Sequence, residues 1–218
     1  MKHHRVDKKI DAAFAREDWE GARKLILPEL EKQPEDHWLL ARLSTTYYEQ
    51  REYAKALEHI EKAYRIRRQC PLVLWDFAGT LDAIGRPSEA LKLYARLIGM
   101  GPRTVGSTRP CGEGLEWAIS LLNDCVFRGA VCWEHLQKYD VAGRWYLAFL
   151  ELRRVWSEGL YNHKDALKRI EKLPMNLPEL EKSISSLEAK VWKGQANDAH
   201  RAEEVWTNMR GRLEASAA

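Results

Sequence analysis

"DWEGARKLILPEL" (residues 18–30), "EYAKALEHIEKAY" (52–64) and "RPSEALKLYARLI" (86–98) are three versions of one pattern. Each has an alanine, Ala22, Ala56 or Ala90, followed four residues later by a bulky Ile26, Ile60 or Tyr94, and the alanines recur every 34 residues. Residues four apart share a helix face. Each stretch is therefore read as an amphipathic helix with one obligatory small position, as required where two helix axes approach to about 8–10 Å.

The segments before the second and third of these also match each other. "HWLLARLSTTYYEQ" from His37 and "PLVLWDFAGTLDAI" from Pro71 place apolar residues three apart (Leu40 and Leu43; Leu74 and Phe77), then Ser44 or Ala78, then Tyr47 or Leu81. The unit is thus helix, short turn, helix. Gly85 closes one helix and Pro87 suits the first turn of the next. Counting 34 from Ala90 lands on Asp124 and fails. Counting 52 lands on Ala142 in "KYDVAGRWYLAFLEL", which restores the pattern with Tyr146 and Phe149, behind a first helix carrying Val126, Gly129, Ala130 and Trp133. The excess over one period is an insertion of 18 residues, about 105–122.

That insertion reads as a loop followed by a helix. "GMGPRTVGSTRPCGEG" (99–114) is glycine- and proline-rich, as turns are. From Glu113, Leu115, Ala118, Ile119 and Leu122 run in phase into Val126, which extends the next helix backwards by two or three turns. Beyond about residue 157 the period is lost. Three helices are expected there, near 163–173, 178–192 and 197–213, the last with an apolar stripe of Ala202, Val205, Trp206, Met209 and Leu213. Such a helix can cap the exposed face of the last pair.

These residues resemble the tetratricopeptide repeat family, whose 34-residue unit has the pattern W-x2-L-G-x2-Y, A-x3-F, P; Pro34 and Pro102 stand at the closing proline. The resemblance covers residues 3–156. It implies an all-α, right-handed solenoid of about four helix pairs: three repeats over 3–104, the insertion 105–122, a fourth degenerate repeat over 123–156, and capping helices over 157–218. It also implies a concave groove, lined by the first helices, that holds a partner's peptide or helix. Carried over position by position, the groove presents Trp38, Arg42, Thr45, Tyr48 and Glu49, then Trp75, Asp76, Gly79 and Asp82, then Phe127, Arg128, Val131 and Glu134. Aromatics beside arginines are the composition of an interaction hot spot. In the alternative, Trp38, Trp75 and Phe127 pack between repeats or under the C-terminal helices. The lysine and asparagine with which co-chaperone members grip a terminal carboxylate are missing, since the paired positions read Asp7 and Asp11, Ala41 and Thr45, Trp75 and Gly79, Phe127 and Val131.

The other motifs favour structure over chemistry. "GPRTVGST" (101–108) is one lysine short of a phosphate-binding P-loop, with Ser107 in the lysine's place and no strand before it, so it is read as inserted surface whose Arg103 and Arg109 face an acidic partner at most. Cys125, Cys132 and His135 share a helix face, with Cys111 as a conceivable fourth zinc ligand, but no close cysteine pair occurs. Buried packing is the favoured reading for these thiols. The adjacent His3 and His4 do not face one another. Asp76 with Asp82, and Glu134 with His135, are pairs that any charged helix shows by chance, so neither catalysis nor a cofactor is expected.

Composition agrees. A chain of 218 residues with 45% hydrophobic and 31% charged residues, and no apolar run of 18, is expected to be a soluble globular protein. Its net charge of +3 gives no field that favours nucleic acid. "MKHHRVDKKIDAAF" lacks the apolar core of a secretory signal, so a cytoplasmic setting is expected, with reduced cysteines and a protein or peptide partner rather than a membrane. A second expectation is self-assembly into a homo-oligomer, the groove being filled by the protein's own or a neighbouring chain.

Overall fold

The computed structural model describes residues 4–109, 111–174 and 198–217, with side chains for 7–109, 111–174 and 198–213. Every regular element among them is an α-helix. The chain divides into two compact units, Met1–Arg86 and Pro87–Ala218. The first holds α1 (His4–Phe14), α2 (Trp19–Lys32), α3 (His37–Glu49), α4 (Tyr53–Ile66) and α5 (Pro71–Ala83). The second holds α6 (Pro87–Ser107), α7 (Leu115–His135), α8 (Tyr139–Arg153), α9 (His163–Ile170) and α10 (Ala199–Ala217). The helix expected at 178–192 lies outside the described residues.

One turn is used four times. The N–H groups of Asp18, Glu52, Arg86 and Lys138 donate back to the carbonyls of Ala13, Tyr47, Leu81 and Trp133, each at 2.9 Å. The residue before each donor has a positive φ: Glu17 56°, Arg51 61°, Gly85 80° and Gln137 59°. This is the left-handed closure that satisfies the last carbonyls of a helix. The four positions are spaced 34, 34 and 52 residues apart, the same intervals as the alanines. Only Gly85 adopts the conformation without steric cost, so at the other three the packing of the flanking helices outweighs a penalty of about 1–2 kcal/mol.

In the first unit each helix packs on its neighbour, and α3 also packs on α5. Ile10 and Ala13 of α1, Ala22 and Ile26 of α2, and Leu39 and Leu43 of α3 form one buried cluster, with Phe14, Leu25, Leu30, Trp38 and Tyr47 against it. The Asp36 carboxylate caps α3 by accepting from the N–H groups of Trp38 and Leu39, at 2.9 and 3.1 Å. At the α3–α4 crossing the Ser44 hydroxyl donates to the carbonyl of the fully buried Ala56 at 2.8 Å.

In the second unit α7 lies between α6 and α8, α9 packs on α8, and α10 packs on α6, α7 and α8. Of the expected α10 stripe, Ala202, Trp206, Met209 and Leu213 are buried and Val205 is half-buried. Ala202 and Val205 join Ile119, Val155 and Trp156 in a cluster of this unit.

Residues 101–107 correct the expectation of a loop at 99–114. Only Gly101 leaves the helical region, with φ 74° and ψ 162°, and helix resumes from Pro102 to Ser107. Pro102 is favoured in a first turn, and Gly106 and Gly112 permit close chain approach. The Gly114 N–H donates to the Gly106 carbonyl at 3.0 Å, and a Cβ on Gly106 would lie 2.4 Å from the Gly114 oxygen. Backbone lies against backbone where a P-loop would leave a cradle open. The Arg103 guanidinium is paired with Glu203 of α10 at 2.5 and 2.7 Å.

Candidate interaction surface

The groove residues fall in both units, and the two sets have different surroundings. In the first unit Arg42 of α3 organises the surface. Its Nη2 donates to Asp11 Oδ1 at 3.2 Å. Its guanidinium lies 5.1 Å from the Phe14 ring centre and 5.2 Å from that of Trp38. A cation held against two ring faces gains attraction from both. Trp38 is half-buried; it packs against the cluster around Leu39 and Leu43 while lying under Arg42.

One turn further along α3, Thr45 Oγ1 lies 3.2 Å from Asp76 Oδ2 of α5 and 3.1 Å from the Ala41 carbonyl. Burial pushes the Asp76 carboxyl up to about 7, partly offset by the charge of Arg42 and the Thr45 hydrogen bond, with Cys70 and Glu49 pushing the same way as burial. The single Thr45 hydrogen serves one acceptor at a time. When Asp76 carries a proton it donates to Thr45 Oγ1, and the hydroxyl is then free to serve Ala41. Partial desolvation, then the charge of Glu17, raise Glu49 as well, although it stands at the exposed end of α3. Tyr48 packs edge-on to Tyr53 at 5.5 Å. Trp75 and Gly79 are half-buried, and Asp82 is 7% exposed.

In the second unit the equivalent positions of α7 are covered by the protein's own chain. Phe127 is 3% and Val131 4% exposed, which corrects the expectation that they form an open face. The Tyr161 ring stacks on Phe127 with centres 4.1 Å apart and planes 12° from parallel. Tyr146 and Phe149 meet Phe127 edge-on at 5.5 and 5.2 Å. Arg128 Nη1 lies 3.4 Å from the Tyr161 hydroxyl. Glu134 accepts from Arg169 of α9 at 3.0 Å and from the Tyr146 hydroxyl, and burial followed by Glu134 raises that phenol. The reason for coverage is apolar: Phe127 in water would be a costly exposure, and three rings from α8 and the following segment remove it.

Under this cover sits a group that periodicity did not single out. Asp124 of α7 and Arg153 of α8 form an ion pair at 3.0 Å, with side chains 4% and 2% exposed. The carboxylate also accepts from the N–H groups of Leu160 and Tyr161, at 2.8 and 3.3 Å. Arg153 donates to the carbonyls of Glu158 and Tyr161. Burial pushes Asp124 up to about 6; the Leu160 N–H, Arg153 and the Tyr161 N–H pull it down. Burial also lowers Arg153. A buried ion pair whose two members also bond main-chain groups is a clamp on the chain supplying them.

Cys125 and Cys132 are fully buried and His135 is exposed on α7. Two cysteines seven residues apart on one helix are separated by about 10.5 Å along its axis, too far for one ion. Burial, then the Asp124 charge, raises the Cys125 thiol and keeps it protonated. Cys111 is also buried. No helix among the described residues is long and apolar enough to cross a membrane. No protein-family model matches the chain, and no curated protein matches it.

Proposed function

We propose that the protein is a tetratricopeptide-like, right-handed helical solenoid of about four repeats that works as a non-catalytic adaptor in the cytoplasm. Its partner is a peptide or helix of another protein, docked on the α3–α5 face of the first unit, with Trp38, Arg42, Thr45, Tyr48, Glu49, Trp75, Asp76 and Gly79 as the docking residues; Asp82 is buried beneath that face. The repeat reading is supported by the turn that recurs at Glu17, Arg51, Gly85 and Gln137. The observation that carries the docking reading is Arg42 held between Phe14 and Trp38 beside the half-buried Asp76. Rigid aromatic and arginine groups, fixed in place before any partner arrives, lose little entropy on contact. Asp76 pays a desolvation cost that a partner's hydrogen-bond donor would relieve. The near-balanced net charge of +3 supports protein over nucleic acid as the partner, and nothing in the reading requires a membrane or a cofactor.

The test is replacement of both Trp38 and Trp75 by alanine, with partner capture from the native cell read by mass spectrometry and helicity by circular dichroism. Loss of specific partners with the helicity retained is expected. The same partners recovered at the same level would end the docking reading.

Self-assembly, with the groove filled by the protein's own or a neighbouring chain, is the second reading. It is favoured by the α7 face being covered by residues of the same chain. Light scattering that gives a tight oligomer, together with no foreign protein captured, would support it over the first.

A further inference from the structure

Residues 157–161 cross the α7 face between two fixed points. Before them, Val155 and Trp156 are buried with Ile119, and the Trp156 indole donates to Ser120 at 2.8 Å. After them, Asn162 and Asp165 cap α9 reciprocally. Between these points the chain has no helical structure, and Ser157, Glu158, Gly159 and Leu160 are all exposed, Leu160 to 73%. The strap is held by α7 and α8 side chains gripping its main chain and by one ring. Such a segment opens more readily than the helices beneath it.

The grip has a pattern. Asp124 takes two successive N–H groups, which any residue other than proline supplies, so the outward-pointing Leu160 is unconstrained. Gly159 has φ 140°, and a Cβ there would lie 2.5 Å from Arg153 Nη2 and 2.8 Å from Asp124 Oδ1. Only glycine lets the chain lie this close to the ion pair. Tyr161 is read twice, by the stack on Phe127 and by Arg128 at its hydroxyl. The requirement is Gly-x-Tyr in a bent, non-helical conformation whose glycine has a positive φ.

We propose that 157–161 is a resident internal ligand, and that the α7 face exchanges it for a Gly-x-Tyr segment of a partner protein that takes up the same bent conformation. A partner peptide needs only the five strap residues to lift. Exchange with a second copy would also have to pull α9 off Glu134 and α10 off α6, α7 and α8. The inference shares with the proposed function the idea of a segment-binding face, but it concerns the second unit alone. Its test leaves Trp38 and Trp75 intact, so either can fail without the other.

The probe is a fluorescently labelled synthetic peptide of the sequence WSEGLYN, titrated into the full chain and read by anisotropy, beside two control peptides with the glycine or the tyrosine changed to alanine. In Tyr161→Ala the strap loses its stack and its hydroxyl contact while α7 is untouched, so the probe is expected to bind about tenfold more tightly than to the wild type. Gly159→Ala, which strains the strap against Arg153, is expected to act in the same direction and serves if Tyr161→Ala does not fold. In the wild type, saturating probe is expected to speed hydrogen exchange at the Leu160 and Tyr161 amides. Any of three results overturns the proposal: folded variants that bind the probe no better than the wild type, control peptides that bind equally well, or strap-weakened variants that dimerise without taking up the probe.

Discussion

Gly129 of α7 lies directly under the indole of Trp145 of α8: a Cβ on the glycine would be 2.3 Å from Cζ3 of that ring. In the repeat register Gly129 stands where the earlier pairs carry Leu43 and Phe77, and Trp145 stands where they carry His59 and Leu93. The fourth helix pair has therefore moved its bulk from the first helix to the second. Gly129, without a side chain where the earlier pairs carry large apolar ones, is one half of a volume exchange. Gly129→Leu should lower stability by roughly 1–3 kcal/mol through overpacking, and Trp145→Leu should lower it by leaving a cavity. The double variant should lose less than the sum of the two. Additive losses in a urea double-mutant cycle would show that the two residues do not share the space.

Ala56 makes the same point at the α3–α4 crossing, where its carbonyl takes the Ser44 hydroxyl and its side chain is fully buried. Ala56→Leu should cost about 1–3 kcal/mol, since the added atoms have no space between the helices. An unchanged denaturation midpoint would refute the register on which the repeat reading rests.

What the sequence disclosed depended on whether a feature was periodic. The alanines are legible because a tight crossing admits one kind of side chain, and it recurs at a fixed interval. The left-handed turns recur at the same intervals but are hidden, because three of the four are Glu17, Arg51 and Gln137 rather than glycine. At residues 102–107 glycine and proline suggest a loop by composition, whereas Pro102 opens a helical turn and Gly106 permits a backbone approach. The strap was invisible because Asp124 meets residues 36 and 37 positions away, which no period relates. One signal was available: Asp124 is a charge set among Leu122, Cys125 and Val126 in a helix that packs on α8, and a charge so placed folds only with a partner.

That pair sets up a stability test separate from ligand exchange. Asp124→Ala leaves Arg153 buried without its counter-ion and the Leu160 and Tyr161 N–H groups without an acceptor, and should destabilise by about 3–5 kcal/mol. Asp124→Asn keeps an acceptor oxygen and should lose distinctly less. Chemical denaturation of both variants checks the order. Equal losses would mean that the carboxylate acts through its charge alone and not as the acceptor that holds the strap.

Asp76 should give the protein a pH dependence opposite to that of an ordinary salt-bridged aspartate. Its folded-state value is near 7, against an ordinary 3.8, so between about pH 4 and 7 the folded protein binds more protons at this site than the unfolded chain. Stability then falls as pH rises through that window: the contribution is intact at pH 4, and the cost of holding a desolvated carboxylate is fully present above pH 7. Asp76→Asn removes the titration while keeping the shape and a group able to donate to Thr45 Oγ1. The variant should melt at a higher temperature than the wild type at pH 8, and the gap should close by pH 4–5. Thermal unfolding of both proteins across this range decides it. A gap independent of pH would mean that Asp76 is already fully compensated by Arg42, and that the α3–α5 face holds no electrostatic cost for a partner to relieve.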